Sequence, residues 1–469
     1  MEEEKQIKIT KIEDLQSEFD KVFLMDDRGV LPLLCACVIA NQMDIDPIWL
    51  LLISPPSGGK TELIESLGLV NLRNKPLCYP ISDLTVNTFA SGQKRQGKET
   101  SLLHKMAPGS IMTFKDFTSM ISKNRDAQQE IMGQLREIYD QQYVKRTGTG
   151  DDITWRGKVG AIAGCTQIIY ESNEQFAVMG DRFIMYEMTQ PDRIAVLERV
   201  IESMSDKTNR FKDKKNKLKE YIKSYLEYCF DNIDNVALEI AKDTKDDLLQ
   251  VVNFVTMVAS GVMVDKKKNT VEFVPTQTMP MRMAKQILGL AQAFILMNKI
   301  SPGITENMPV AEGNLTVEQV RILYKVAFDT IPIKRRMALK ILAKYELGVT
   351  TGGLATALGY QTPVVAGWLA QLNALGICSR EKNGRSDKWF LNDKFRDVMV
   401  RFDHIQVVNK ALDSDEEIED VKASWNSVEK EYASIPFFEK DDFEKTETEA
   451  KEDEFVDSIT TGEDNEMKM

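Results

Sequence analysis

Histidine is nearly absent: His104 and His404 are the only two in 469 residues. The six cysteines, Cys35, Cys37, Cys78, Cys165, Cys229 and Cys378, show no CxxC spacing. No His/Cys zinc site can be assembled from them, and they are expected to be buried, reduced thiols. Long apolar runs are missing too. The longest, Leu31 to Ala40, is far short of the ~20 residues of a membrane span. The opening MEEEKQIKIT lacks the basic n-region of a signal peptide, so a cytoplasmic location and no membrane partner are expected. With 43% hydrophobic and 28% charged residues, the balance is that of a soluble globular protein. The length allows about three domains at ~150 residues each.

An excess of positive charge is lacking as well. The net charge of −12 by itself points away from nucleic acid, but its distribution reverses that reading. Residues 413–469 hold 21 acidic and 6 basic residues, which leaves 54 basic against 51 acidic in the rest. The acidity belongs to the tail, and the body is free to carry basic surfaces. The segment 412–469 has few aliphatics and reads as disordered. Aromatics at Trp425, Tyr432, Phe437, Phe438, Phe443 and Phe455 make it a candidate docking segment or DNA mimic, and a solvating tail is the plain alternative.

What is present is an alternation of strand and helix signals. Residues Ile12 to Gln42 read as helical, split near Gly29 and Pro32 and closed by Asp44-Ile45-Asp46-Pro47. Ile48 to Ile53 is a continuous apolar run, as expected of a strand buried on both faces of a parallel sheet. Further buried strands are expected at Ser110 to Phe114, Val159 to Ala163 and Phe183 to Met188, giving a doubly wound α/β core up to about Pro191. Beyond it the pattern is helical through Lys207 to Lys223 and the Ala/Leu/Met-rich stretch at Met283 to Met297, with one short hairpin around Val264 to Phe273.

Directly after the first strand comes Ser54-Pro-Pro-Ser57-Gly58-Gly59-Lys60-Thr61, opening a helix at Glu62. This is the Walker A arrangement GxxxxGK[ST], with Ser54 at the first glycine position. The spacing has a chemical reason. Gly58 and Gly59 let backbone amides turn inward around phosphate, the helix presents its positive end, Lys60 reaches the β and γ phosphates, and the Thr61 hydroxyl ligates Mg²⁺. The site is expected to comprise Ser57, Gly58, Gly59, Lys60, Thr61 and Glu62, binding ATP and Mg²⁺. The bare GKT triplet is weak; its flanking strand and helix give it weight. A P-loop enzyme also needs a carboxylate at the end of a neighbouring strand. Ser110-Ile-Met-Thr-Phe114-Lys115-Asp116 supplies it, with Lys115 where a second acid is usual, so Asp116 is the catalytic and metal-binding candidate. Its alternative role is to cap the next helix.

With those motifs placed, the chain resembles AAA+ ATPases, and within them the clade of the minichromosome maintenance (MCM) replicative helicases, in particular phage and mobile-element relatives. Asp116-Phe117-Thr-Ser-Met120 is similar, in register, to the Phe-Asp-Lys-Met that follows the family's Walker B acids. Gln134 to Gln142 then feeds Tyr143 to Arg156, where Gly148, Gly150 and Asp151 supply a hairpin turn. The resemblance implies a hairpin projecting into a ring's pore, with Lys145, Arg146 and Arg156 near DNA; a solvated loop is the alternative. Thr166, after Val159 to Ala163 and Gly164-Cys165, falls at the sensor 1 position. Gly180-Asp181-Arg182-Phe183 is similar to Ser-Arg-Phe-Asp, which makes Arg182 an arginine finger for the neighbouring subunit's γ-phosphate; a strand-end salt bridge is its other reading. Met281-Arg282-Met-Ala-Lys resembles the lid helix whose sensor 2 arginine meets the same phosphates, here Arg282. The resemblance covers about Val30 to Thr330 and lacks the family's N-terminal DNA-binding domain.

A third unit follows. Leu339 to Gly348 reads as a helix closed by a glycine, Thr351 precedes Gly352 to Gly359, and Thr362-Pro-Val-Val begins a helix to Leu375 with Thr as N-cap. These form a helix-turn-helix, and the Asn383-Gly384 hairpin after them makes a winged helix with Arg380, Lys382, Arg385 and Lys388 spread over the wing. The second helix is poor in base-reading side chains, Gln361, Thr362 and Gln371 being the main polar ones. DNA contact would therefore rest on phosphate; docking of a protein is the alternative.

The expected architecture is a helical segment at 1–29, an AAA+ α/β core at 30–200, a helical lid at 201–332, a winged helix at 333–401 and the acidic tail. The expected function is an ATP-dependent DNA motor or helicase of replication type, acting as a ring, hexameric by resemblance, with replication proteins as possible partners of the tail. The alternatives are an ATP-switched initiator or helicase loader and a nucleotide-binding protein that does not hydrolyse.

Overall fold

The computed structural model describes residues 9–412, apart from 73, 86, 90–93, 96–97, 100, 122, 147–151, 173–181, 206–209, 236, 266–269, 275, 302–314 and 384–385. The expectations placed on the hairpin tip at 147–151, on Gly180 and Asp181, on Arg385 and on the tail beyond 412 lie outside the described residues.

The centre is a sheet of five parallel strands: β1 Trp49–Ile53, β2 Cys78–Pro80, β3 Ile111–Phe114, β4 Gly160–Cys165 and β5 Phe183–Glu187, in spatial order β5-β1-β4-β3-β2. Every residue of β1 is buried, because its two sides feed two separate cores. Leu50 and Leu52 enter a large helical core with Ile111, Ile162 and Ile184. Trp49, Leu51 and Ile53 enter a second with Met112, Phe114 and Phe183. This is the period-2 division of a strand covered on both faces.

Helix α1 (Ile12–Asp20) and α2 (Val30–Ala40) are separated by a loop. The expected split into two helices is present, with Gly29 at the cap of α2; Pro32 lies in the first turn of α2, where its missing N–H has no partner to lose. Asp27 ties the loop to the end of β5, accepting from the Tyr186 hydroxyl at 2.6 Å and from the Thr189 amide at 2.8 Å. A Cβ on Gly29 would lie 2.6 Å from that hydroxyl, so the approach requires glycine. Apart from the half-buried Pro32, α2 is buried throughout, and its apolar run is core; no described helix is long and apolar enough to cross a membrane.

Helix α3 (Lys60–Ser66) follows β1, α4 (Arg125–Tyr139) follows β3, and α5 (Arg193–Ser205) follows β5. The Lys-rich stretch forms α6 (Arg210–Phe230), which packs back onto α1, α2 and α3. Helices α7 (Lys242–Ala259), α8 (Met281–Ile300) and α9 (Val317–Asp329) pack on one another, and α8 also packs on α2. A hairpin, Met263–Asp265 with Thr270–Phe273, joins α7 to α8.

The C-terminal unit holds α10 (Ile333–Lys344), α11 (Thr351–Leu358), α12 (Thr362–Ala374), a three-stranded sheet of Val349–Thr350, Cys378–Asn383 and Ser386–Leu391, and α13 (Asp393–Phe402). Thr350 caps α11, and the cap of α12 falls one residue earlier than expected. The Thr350 hydroxyl accepts from the Gly353 amide at 3.1 Å, and Gln361 occupies the cap of α12, with Thr362 inside the helix. Gly348 does not close α10, which ends at Lys344; it turns the chain at φ +89, where a Cβ would meet the Phe390 ring at 2.6 Å. All six cysteines are unpaired thiols, five buried and Cys78 half-buried.

Candidate functional site

The sheet ends in two differently built edges. At the carboxyl edge, the order of the strands reverses around β1, which is where open α/β sheets place ligands. The loop Ser54 to Gly59 runs from β1 into α3. Ser57 and Gly59 have φ of +63 and +83, and a Cβ on Gly58 would lie 2.4 Å from the Ser54 hydroxyl and 2.8 Å from the Gln190 side-chain oxygen. Gln190, just beyond β5, therefore flanks the loop, a neighbour that no motif announces.

Lys60 is only 8% exposed. Its ammonium donates to the Ser54 carbonyl at 2.7 Å, the Ser54 hydroxyl at 2.9 Å and the Pro55 carbonyl at 2.8 Å. Burial pulls its pKa below the usual value, against the weaker opposing pull of Cys165 and Asp116. Among the described residues no carboxylate pairs with it. A buried cation with neutral partners in a loop of turned backbone suits an anion, and the residues present fit a nucleotide phosphate with Mg²⁺. Thr61 and Glu62 open α3, but Glu62 is turned to Lys215 on α6 at 2.5 Å rather than into the loop.

The neighbouring strands deliver the other groups. Lys115 pairs with Glu65 of α3, which holds the Glu65 carboxyl below its usual range. Asp116 is exposed beyond β3 and accepts from the Thr118 amide at 2.8 Å, so it does cap the turn it begins. The Thr118 hydroxyl lies 3.4 Å from that of Thr166 beyond β4. The strands themselves are drawn together: the Phe117 amide donates to the Gly164 carbonyl at 2.7 Å, and a Cβ on Gly164 would meet the Lys115 carbonyl at 2.8 Å and Lys60 at 3.4 Å. Lys60, Thr61, Asp116 and Thr166 thus share the carboxyl edge.

Arg182 and Arg282 do not. Arg182 precedes β5, whose first residue pairs with Trp49 at the start of β1, so roughly 15 Å of sheet separates it from its own loop at ~3.3 Å per residue. It pairs with Asp140 at 2.7 Å and lies 5.7 Å from the centre of the Tyr139 ring. Arg282, at the start of α8, lies 5.7 Å from the same ring. Gln286 fastens the group, donating to the Tyr139 hydroxyl at 3.0 Å and to the Arg182 carbonyl at 2.8 Å. The structure thus brings the two arginines together at the amino edge.

No protein-family model matches this chain, and no curated protein does.

The hairpin Gln142–Lys145 with Ile153–Arg156 also leaves the amino edge, with Tyr143 and Trp155 paired and buried. Lys145 donates to Asn87 at 2.8 Å, while Arg146 and Arg156 are exposed. A second short hairpin, Lys94–Arg95 with Lys98–Glu99, was not foreseen in the sequence; its two-residue strands give no periodicity to read. In the C-terminal unit Arg380 pairs with Asp387 at 2.7 Å and lies 5.7 Å from the Trp389 ring centre, Lys382 is exposed and Lys388 half-buried. Gln371 does not face outward for reading bases: its oxygen accepts from Arg335 at 3.0 Å, and α12 packs against the Thr270–Phe273 strand.

One cluster escaped the sequence reading altogether. Arg336 of α10 pairs with Glu187 at the end of β5 at 2.5 Å and with Asp329 of α9. Asp329 also takes Lys325 at 2.8 Å and the Glu187 amide at 2.8 Å. Glu187 accepts in addition from the Tyr170 hydroxyl at 3.0 Å and from Gln167 at 3.2 Å. A chain of contacts therefore runs from Gln167, beside Thr166, to the C-terminal unit. Among the described residues no cluster of three or more His, Cys, Asp or Glu side chains is placed to hold a metal.

Proposed function

We propose that this protein is a P-loop ATPase of the AAA+ type that works as a DNA motor in a ring. The observation that carries the reading is Lys60: a buried ammonium with only neutral partners, at the switch point of a parallel sheet, with Asp116 and Thr166 at the ends of the two adjoining strands. Lys60 and the loop amides hold the β and γ phosphates, and Thr61 with Asp116 holds Mg²⁺, which neutralises charge on the transferring phosphoryl group. Asp116 orients the attacking water while the Thr118 amide fixes its carboxylate. The separation of the two edges supports a ring, since Arg182 and Arg282 lie too far from their own loop and suit a neighbour's phosphates. The hairpin at the amino edge carrying Lys145, Arg146 and Arg156 and the wing-like strands carrying Arg380, Lys382 and Lys388 are the candidate contacts to the DNA backbone.

A second reading, an ATP-switched DNA-binding initiator or loader, is favoured by Lys115: turned to Glu65, it leaves Asp116 as the single acid of the pair. Steady-state ATP turnover and duplex separation, with and without single-stranded DNA, decide between them. DNA-stimulated turnover with strand separation is expected. Assembly on DNA without separation would move the assignment to the switch, and absence of ATP binding would remove both. Arg182→Ala is expected to keep binding and to lose on the order of 10³ in turnover. In mixtures with Lys60→Ala, activity should reappear at the mixed interfaces.

A further inference from the structure

Among the described residues α5 has no extended packing with any other element, and its large aliphatic side chains face water. Ile194 is 67% exposed, Leu197 61% and Ile201 65%. They follow i, i+3, i+7 spacing, which sets them on one face of the helix. The helix is balanced in charge, with Arg193 and Arg199 against Glu198 and Glu202. Helix α6, which follows it in the chain, is not. It opens with Lys212, Lys214 and Lys217 exposed beside the single acid Asp213, while Lys215 is taken by Glu62. An aliphatic face left in water marks a surface made to be covered, and with lysines following it the covering segment should carry both apolar and acidic side chains.

The chain supplies such a segment itself. Residues 413–469 hold 21 acidic against 6 basic residues, and within them Ile435, Phe437 and Phe438 are followed directly by Glu439, Asp441, Asp442 and Glu444. We propose that residues 435–444 seat on the α5–α6 surface of their own chain, Phe437 and Phe438 on the Ile194/Leu197/Ile201 face and the four acids toward Lys212, Lys214 and Lys217. Charge complementarity favours this occupant, since a nucleic acid would match the lysines but bury no aliphatic face. Position favours it too. The described chain ends at Leu412, whose amide and carbonyl are bonded to Gly348 and Thr350, and Val408 is bonded to the Lys344 carbonyl at the end of α10. The same helix carries Arg336 to Glu187, about 12 Å back at 1.5 Å per residue, and α5 begins six residues after Glu187. The 22 residues from 413 to 434 reach ~25 Å even as an unordered coil. Tethered at that distance, the segment meets the face at an effective concentration of about the millimolar range, so modest contacts suffice to seat it. The contact does not depend on the Ser54–Thr61 loop being a nucleotide site.

Zero-length carbodiimide coupling of carboxylates to amines on the full chain, followed by peptide mapping, tests this. Links from Glu439, Asp441, Asp442 or Glu444 to Lys212, Lys214 or Lys217 are expected, within a single chain. They should be lost in Phe437→Ser/Phe438→Ser, because exposed ion pairs alone do not hold a segment in place, and lost again in Leu197→Glu, which leaves every lysine untouched. An equal mixture of isotope-labelled and unlabelled protein identifies the source of the segment, and links that join labelled to unlabelled peptides would overturn the proposal in favour of a second copy. Links confined to Lys145, Lys382 or Lys388 would overturn it in favour of the other basic surfaces. Absence of links, or links that survive either substitution, would overturn it outright. If Leu197→Glu fails to fold by circular dichroism, Leu197→Gln replaces it; the double phenylalanine variant keeps residues 9–412 unchanged and gives the same test from the other side of the contact.

Discussion

Lys60 and Arg336 are both buried cations at the ends of neighbouring strands of the central sheet, β1 and β5, and they are held in opposite ways. Lys60 sits at the end of β1 among carbonyls and a hydroxyl. Arg336 sits against the end of β5 with two carboxylates, Glu187 and Asp329, one of which carries Lys325 as well. Burial alone would lower the Arg336 pKa, but Asp329 and Glu187 outweigh it and raise it; at Lys60 burial prevails and the value falls. A buried charge that is fully paired is part of the framework. One left with neutral partners is available to an incoming anion. On the proposed reading the two sites divide labour: the seam at Arg336 fixes the C-terminal unit to the core, and the loop at Lys60 keeps its charge for a ligand.

The largest expected effect falls on the paired site. Arg336→Met strands Glu187 in the interior, leaves Asp329 with Lys325 alone, and should cost about 3–5 kcal/mol, read as a lowered urea midpoint. Adding Glu187→Gln to that variant should restore part of the loss, since the uncompensated charge is gone; equal stabilities for the single and double variants would break the contrast. A smaller effect follows from pH. Burial pushes the Asp329 carboxyl up, but Lys325 and Arg336 together outweigh it and hold it below its usual value. A carboxyl with a lowered folded pKa stabilises the fold above its unfolded value of about 3.9 and loses that contribution as pH falls through the lower folded value. In unfolding titrations, the difference between wild type and Asp329→Asn should therefore be flat from neutral pH to about 4 and shrink only below it. The smallest effect belongs to the loop. Ser57 holds φ +63, a conformation that costs an ordinary residue ~1 kcal/mol. Ser57→Gly should raise stability by on the order of 0.5 kcal/mol, once the extra freedom of glycine in the unfolded chain is deducted, and leave nucleotide affinity unchanged. A stability loss larger than that would mean the serine side chain is used.

Much of this contrast is legible in the sequence on one side and invisible on the other. The stretch Trp49 to Ile53 announces a doubly covered strand, and Gly58-Gly59-Lys60-Thr61 carries its chemistry in consecutive residues, so local pattern suffices for both. Strand β2, three residues ending in Pro80, is too short to show a period. The Arg336 cluster draws on residues 187, 325, 329 and 336, and Lys115 meets Glu65 across fifty positions; nothing in either local segment signals the partner. Arg182 and Arg282 could be named by resemblance, but that they converge on Tyr139 at the far edge follows only from the parallel register of β1 and β5. Gln371 shows the reverse failure, since an apparently outward polar side chain proves to hold a buried arginine.

The central claim is that Lys60 is kept for an anion and not for the fold. The most direct measurement is titration of Lys60→Met with a fluorescent ATP analogue, beside its urea midpoint. The account predicts that nucleotide binding disappears while stability stays within about 1 kcal/mol of wild type, because a buried cation with neutral partners contributes little to folding. Unchanged affinity in the folded variant would contradict it.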